Sequence, residues 1–206
     1  MTHRAKHQQG FTLVELMMAL AFTAFILIFA TTAVIQVMQT YNKGLAVKQI
    51  NQAGRTTLEE MSRQLRTADP DAVSIVDTQR RACFGTVSYV WNLWNTAINV
   101  NKYGDDSPIT LARVDDPGKA MCSQVSGVYP NVPKAQATDI LQSNVWVMSI
   151  TLTDPSVDAP LMDLAINLAV ANDPAINGGK CTQGGTQGQF CATSNFSTTV
   201  MTGGGN

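Results

Sequence analysis

Gly10-Phe11-Thr12-Leu13-Val14-Glu15-Leu16-Met17 is the stretch on which the reading of the whole chain turns. It joins a short polar leader to a long apolar run. From Leu16 to Ile35 there is no charge, no glycine and no proline. Those residues extend about 30 Å as an α-helix, enough to cross the hydrocarbon core of a bilayer. Glu15 is the only charge between Lys6 and Lys43. A carboxylate is costly to insert in a membrane segment, so Glu15 reads as a functional residue by default.

The leader, residues 2–9, is polar and carries Arg4 and Lys6. A basic leader predicts a cytoplasmic amino end and an exported remainder. An ordinary secretory signal is cut at small residues that follow its apolar region. Here the small residue, Gly10, precedes that region, so a cut there leaves the membrane anchor on the mature chain. An uncleaved signal anchor is the alternative that the residues alone leave open.

The octapeptide resembles the class III signal of type IV prepilins and pseudopilins. Basic leader, glycine, aromatic residue and acid occur in the family's order before a spanning helix. The resemblance implies that a membrane-embedded aspartyl prepilin peptidase cuts between Gly10 and Phe11 and then N-methylates Phe11. Glu15 becomes the fifth mature residue, the family's glutamate. A lone carboxylate in lipid needs a cationic or hydrogen-bonding partner. In a helical filament that partner is expected to be the Phe11 amine of a neighbouring subunit, a pair that sets axial register. Many major pilins have a glycine or proline within this helix; none occurs from Phe11 to Lys43. Thr23, Thr31 and Thr32 are its soft points, where a hydroxyl can bond the i−4 carbonyl and bend the helix.

After Gln39 the chain turns polar but keeps a helical period. Val47, Ile50, Gly54, Leu58, Met61, Leu65 and Ala68 form an apolar stripe. Arg55, Glu59 and Arg63 form a second stripe, with Glu59 and Arg63 in the favoured i, i+4 order. Asp69-Pro70 is expected to stop the helix. One helix from Phe11 to Ala68 would be about 87 Å long, with Gly44 and Gly54 as possible interruptions. Residues 54–68 are also similar to the segment after the anchor in PilW-like minor pilins and J-type minor pseudopilins, which implies a minor subunit.

From Asp69 the period changes to two. Ser88–Asn95 places Tyr89, Trp91 and Leu93 on one face. Trp146, Met148, Ile150 and Leu152 form another such row, and Leu164, Ile166, Leu168 and Val170 a third. These read as half-buried strands; Val73–Val76 and Ile109–Val114 are weaker candidates. The expected fold is α+β and pilin-like: a long N-terminal helical spine packed against one antiparallel β-sheet head. Its segments are a leader (1–10), a transmembrane or filament-core helix (11–38), the amphipathic upper half (39–68) and a β-rich head (69–206). The tail from Thr202 to Asn206 is expected to be disordered.

Cys83, Cys122, Cys181 and Cys191 all follow the anchor, on the oxidising side of the expected topology. Four cysteines allow three pairings. Cys181 with Cys191 is favoured, because Gly184, Gly185 and Gly188 let that short loop close; Cys83 then pairs with Cys122. This C-terminal loop resembles the disulfide-bounded loop with which many pilins tie down the head. Free buried thiols are the alternative. A metal site is not expected, since there is no C-x-x-C and no cluster of histidines.

Both histidines, His3 and His7, lie in the leader, so the mature chain lacks the base of a Ser-His-Asp or Cys-His scheme. Asp105-Asp106 and Asp115-Asp116 read as solvated turn acids. Trp94 is the better surface aromatic; Trp91 and Trp146 read as core. Arg80-Arg81, Lys102, Arg113, Lys119 and Lys134 are scattered and offset by acids. With a net charge of −1, nucleic acid is not an expected partner. The residues therefore point to a non-enzymatic subunit with no cofactor. The resemblance implies a minor type IV pilin in the inner (plasma) membrane before assembly, its head outside the cytoplasm. Its partners would be prepilin peptidase, an assembly ATPase, a platform protein and other pilins; its destination would be a surface pilus or a periplasmic pseudopilus. A type II secretion pseudopilin and a non-polymerising, signal-anchored binding protein are the alternatives.

Overall fold

The computed structural model describes residues 11–92, 109–130, 132, 136–142, 144–153, 161–170, 176–177, 180–181 and 191–203. The fold is α+β: one long helix and antiparallel sheets. Helix α1 runs Leu13–Thr67, within two residues of the expected Phe11–Ala68. The chain divides into two compact units between Tyr41 and Asn42.

In the first unit, every side chain of α1 up to Met38 is exposed. This segment is long and apolar enough to cross a membrane. The Thr23, Thr31 and Thr32 hydroxyls donate to the carbonyls of Leu20, Ile28 and Phe29, at 2.8–2.9 Å. These are i−3 acceptors, one residue closer than expected. They satisfy each hydroxyl within its own helix, and α1 continues through all three sites.

In the second unit the expected single sheet is divided. Strands β1 (Val73–Val76), β2 (Arg81–Phe84), β3 (Val87–Trp91), β4 (Leu111–Asp115) and β5 (Ala137–Asp139) form an antiparallel meander in chain order. Strands β6 (Val145–Thr153), β7 (Leu161–Val170) and β10 (Ala192–Met201) form a three-stranded sheet in the order β10-β7-β6, and β8 (Ile176–Asn177) pairs with β9 (Lys180–Cys181). Alternation reports which face a residue occupies and not which strand it pairs with, so the division left no mark in the sequence. Both larger sheets share one core with the upper part of α1. Ile50, Met61 and Leu65 pack with Phe84, Tyr89 and Trp91 of the first sheet and with Ile150, Ile166 and Leu168 of the second. Val47 of the expected stripe is exposed; Ala46 and Thr57 are buried on that side of the helix.

Strand β3 is buried on both faces, not on one. Tyr89 and Trp91 meet the α1 core. Val90 meets a second, smaller core with Cys83, Ala112, Val114, Met121 and Val132. In β6 the expected row slips. Val147 pairs with Leu168 and Ser149 with Asn167, leaving Met148 as the extra residue of a bulge. Val145 and Val147 therefore precede Ile150 and Leu152 on the core side, and Trp146 lies outside that core.

Strand β10 was absent from the expected strands. Its inward row, Ala192, Ser194, Phe196, Thr198 and Val200, is interrupted by two hydroxyl residues. The tail is also more ordered than expected at its start. Thr202 is buried. Gly203 adopts φ 84°, a left-handed conformation suited to glycine, and its N–H donates to the Ala68 carbonyl at 3.2 Å. Asp69 caps the turn after α1 by accepting from Asp71 N at 3.2 Å, so the Asp69-Pro70 stop acts as read. Arg63 pairs with Glu60 rather than Glu59, and Glu60 also faces Arg113 of β4 at 3.4 Å. Glu60 is drawn to a cation on the sheet, which the helical spacing alone could not reveal.

Candidate processing and assembly site

Gly10 lies outside the described residues. Phe11 is 85% exposed at the start of the described chain. Thr12 immediately precedes α1, and Glu15 is its third residue. The Thr12 N–H and hydroxyl both donate to Glu15 Oε2, at 3.0 and 2.8 Å. The Glu15 N–H donates back to Thr12 Oγ1 at 3.3 Å, and Leu16 N closes the first helical turn on the Thr12 carbonyl at 3.2 Å. This is a capping box, in which residues N-cap and N3 satisfy each other's otherwise unpaired backbone donors. The Thr12-x-x-Glu15 spacing before an apolar run was the available signal, and the sequence reading missed it.

The box gives Glu15 a local role beside its expected intermolecular one. A carboxylate at a helix N-terminus is favoured by the helix dipole. Both Thr12 bonds end on Oε2. Among the described residues Oε1 has no partner, so one oxygen can take a further donor. The arrangement offers a positioned acceptor four residues from the exposed Phe11. Among the described residues no group of three or more His, Cys, Asp or Glu side chains could hold a metal ion.

The head residues singled out in the sequence fall differently. Cys83 and Cys122 are joined, with their Cα atoms 6.2 Å apart. Cys191 is buried and disulfide-bonded; the side chain of Cys181 lies outside the described residues. Asp116 is not a solvated turn acid. It is buried and accepts from Ala120 N at 2.9 Å, Met121 N at 2.8 Å and Ser88 Oγ at 2.8 Å. Its neighbour Asp115 is exposed and pairs with Arg113 at 3.0 Å. Asp105 and Asp106 lie outside the described residues.

Arg81 has no path to a phosphate. It is fully buried, donates to the Met121 carbonyl at 2.8 Å and lies over the Tyr129 ring at 5.1 Å. Burial pulls its pKa below that of a free guanidinium. Lys119 has a left-handed backbone and precedes a 3-10 turn, Ala120–Cys122. Lys102 and Lys134 lie outside the described residues, as does Trp94; Trp91 and Trp146 are buried.

The prokaryotic N-terminal methylation motif matches residues 5–31. The match takes in the leader, Gly10, the capping box and the start of the exposed helix, and none of the head. It supports a type IV pilin or pseudopilin, a structural subunit anchored in a membrane through its apolar helix. No curated protein and no solved structure matches the chain.

Proposed function

We propose that the chain is a minor subunit of a type IV pilus. Prepilin peptidase cuts after Gly10 and methylates Phe11. Residues 11–38 anchor the subunit in the inner membrane and then enter the filament core, while the head stays outside the cytoplasm. An assembly ATPase and platform protein move the subunit into the filament, where Glu15 accepts from the Phe11 amine of a neighbour. The observation that carries this reading is the methylation motif at residues 5–31, running into a stretch of α1, up to Met38, whose apolar side chains are all exposed. Such a surface calls for lipid or other apolar helices around it. The reading needs no catalytic group. The similarity of residues 54–68 to minor subunits supports the choice of a minor pilin, and it covers a minor pseudopilin of type II secretion as well.

Co-expression with prepilin peptidase tests the reading. The expected product starts at N-methylated Phe11, identified by intact-mass and peptide mass spectrometry. A chain that keeps residues 1–10 would instead be an anchored binding protein. The processed chain is expected in sheared surface fibres; its presence only in the periplasm would make it a pseudopilin. Glu15→Ala is expected to leave cleavage intact and to lower the amount incorporated, read by immunoblot of sheared filaments. Normal incorporation of that variant would remove the register role.

A further inference from the structure

The second core lies on the face of the five-stranded sheet opposite α1, and a segment with almost no regular structure covers it. That segment, residues 117–130, contains one 3-10 turn and one narrow hairpin bridge, Val125 with Val128. Its attachments to the sheet are mostly polar. Asp116 at its root takes the Ser88 hydroxyl of β3 and caps the 3-10 turn through Ala120 N and Met121 N. Arg81 of β2 holds the Met121 carbonyl and lies over the Tyr129 ring. Cys122 is bonded to Cys83 of β2. Within the segment Met121 is the single buried apolar side chain; Val125 and Val128 are 67% and 68% exposed.

Arg81 opposes closure. It is a fully buried cation whose bonds in the closed state are to one carbonyl, one ring face and the weakly accepting Met121 sulfur, 4.0 Å away. Among the described residues no carboxylate pairs with it, and its Nε has no acceptor. A buried charge without a counter-charge favours any state that returns it to water. One methionine and a few polar bonds stand against that pull, together with the covalent tie. A segment held in this way belongs to the low-stability end of a fold, the part that opens locally before the core does.

We propose that residues 117–130 form a redox-released strap: reduction of Cys83–Cys122 frees it from the sheet and uncovers Arg81 and Val90, while the core against α1 stays folded. The chemistry is thiol–disulfide exchange with a dithiol. Cys83 is almost fully buried and Cys122 only partly so, so a thiolate of the dithiol attacks the Cys122 sulfur and the Cys83 sulfur leaves. The second thiol of the reductant then displaces Cys122. Two electrons and two protons pass to the cysteines, and the dithiol becomes a cyclic disulfide. Ser88 Oγ lies 2.9 Å from Cys83 Sγ and 2.8 Å from Asp116 Oδ2. Its single proton serves one or the other, so the departing Cys83 sulfur competes with Asp116 for it. This links the state of the disulfide to the residue that caps the strap. In the oxidised state an exported head is closed on this face; in a reducing compartment the same face is open.

The test is hydrogen exchange with mass spectrometry on the full processed chain in detergent. It compares the wild type with a Cys83→Ser/Cys122→Ser double variant, which leaves Cys191 in its native bond. Peptides from residues 117–130 are expected to exchange at least about tenfold faster in the double variant. Peptides from Ala46–Leu65 and from β6 and β7 are expected to be unchanged. Equal exchange in the strap would overturn the proposal, and so would loss of protection throughout the head. If the double variant does not accumulate, wild type treated with dithiothreitol until only Cys83–Cys122 is reduced, as shown by alkylation and peptide mapping, gives the same comparison. Arg81→Met added to the double variant is expected to restore at least half of the lost protection. An Arg81→Met strap that stays open would remove the buried cation as the opening force.

Discussion

The two stretches of α1 differ in what surrounds the same secondary structure. From Leu13 to Met38 the helix is apolar on all sides, and none of it is buried; Phe25 and Phe29 are 72% and 73% exposed. From Ala46 to Leu65 it is far more polar, yet it buries a full stripe, with Met61 and Leu65 inaccessible to water. Apolar content alone therefore does not locate a core. A stripe with a 3.6-residue period marks a helix with one partner surface in its own chain. A helix that is apolar all round marks one whose surroundings lie outside the chain, in lipid or in other copies of the helix.

The largest expected effect tests that contrast. Leu65→Ala removes a fully buried side chain from the core shared by both sheets, and it should cost about 2–5 kcal/mol of head stability. Phe25→Ala removes a larger side chain that is mostly exposed and belongs to neither buried cluster. It should leave the denaturant midpoint of the head unchanged while weakening retention in membranes. Equal loss of midpoint in the two variants would break the contrast.

A pair of glycines sharpens it within the upper stretch. A Cβ at Gly54 would fall inside the Phe196 ring of β10. Gly54→Ala must therefore displace that ring, at a cost of about 1–3 kcal/mol by overpacking. Gly44 has nothing within 4 Å of its Cβ position. Gly44→Ala should stabilise the helix by about 0.5–1 kcal/mol, the helix preference of alanine over glycine. Thermal melts by circular dichroism should therefore move in opposite directions for two nominally identical substitutions. The sequence reading set only Gly54 on the apolar stripe, but it took both glycines as possible interruptions, and α1 runs unbroken through both.

That error shows where legibility ended. The helix was readable because its run lacks glycine and proline and because Asp69-Pro70 closes it. Strands β3 and β7 were readable from alternation. What failed depended on contacts between residues distant in sequence. Strand β2 was missed because Arg81 reads as a surface residue, whereas the strap surrounds it. Asp116, beside Pro117-Gly118, has the sequence of a solvated turn acid and the environment of a cap. The Met148 bulge reversed the phase of β6 with no change in composition. Strand β10 was hidden by Ser194 and Thr198 on its inward row. In the candidate site, Gly10, Phe11 and Glu15 were legible as a motif. The role of Thr12 was not read, although the capping-box spacing was present.

The smallest expected effect separates the two roles of Glu15, in the first turn of α1. Glutamine at the third helical position can still accept from an N-cap threonine, because its side-chain oxygen occupies the place of the carboxylate oxygen. Glu15→Gln should therefore preserve the first turn while removing the charge. Thr12→Val does the reverse: it leaves the carboxylate and removes the hydroxyl that Glu15 holds at 2.8 Å. In detergent-solubilised subunit, amide exchange at the start of α1 should rise several-fold in Thr12→Val and stay near wild type in Glu15→Gln. In filaments the order should invert. Glu15→Gln is expected to incorporate poorly, because a neutral amide attracts the neighbour's amine weakly, whereas Thr12→Val retains the charge and should assemble nearer to the wild-type level. If both variants incorporate in proportion to first-turn stability, Glu15 acts through the helix cap and the intermolecular pair is unnecessary.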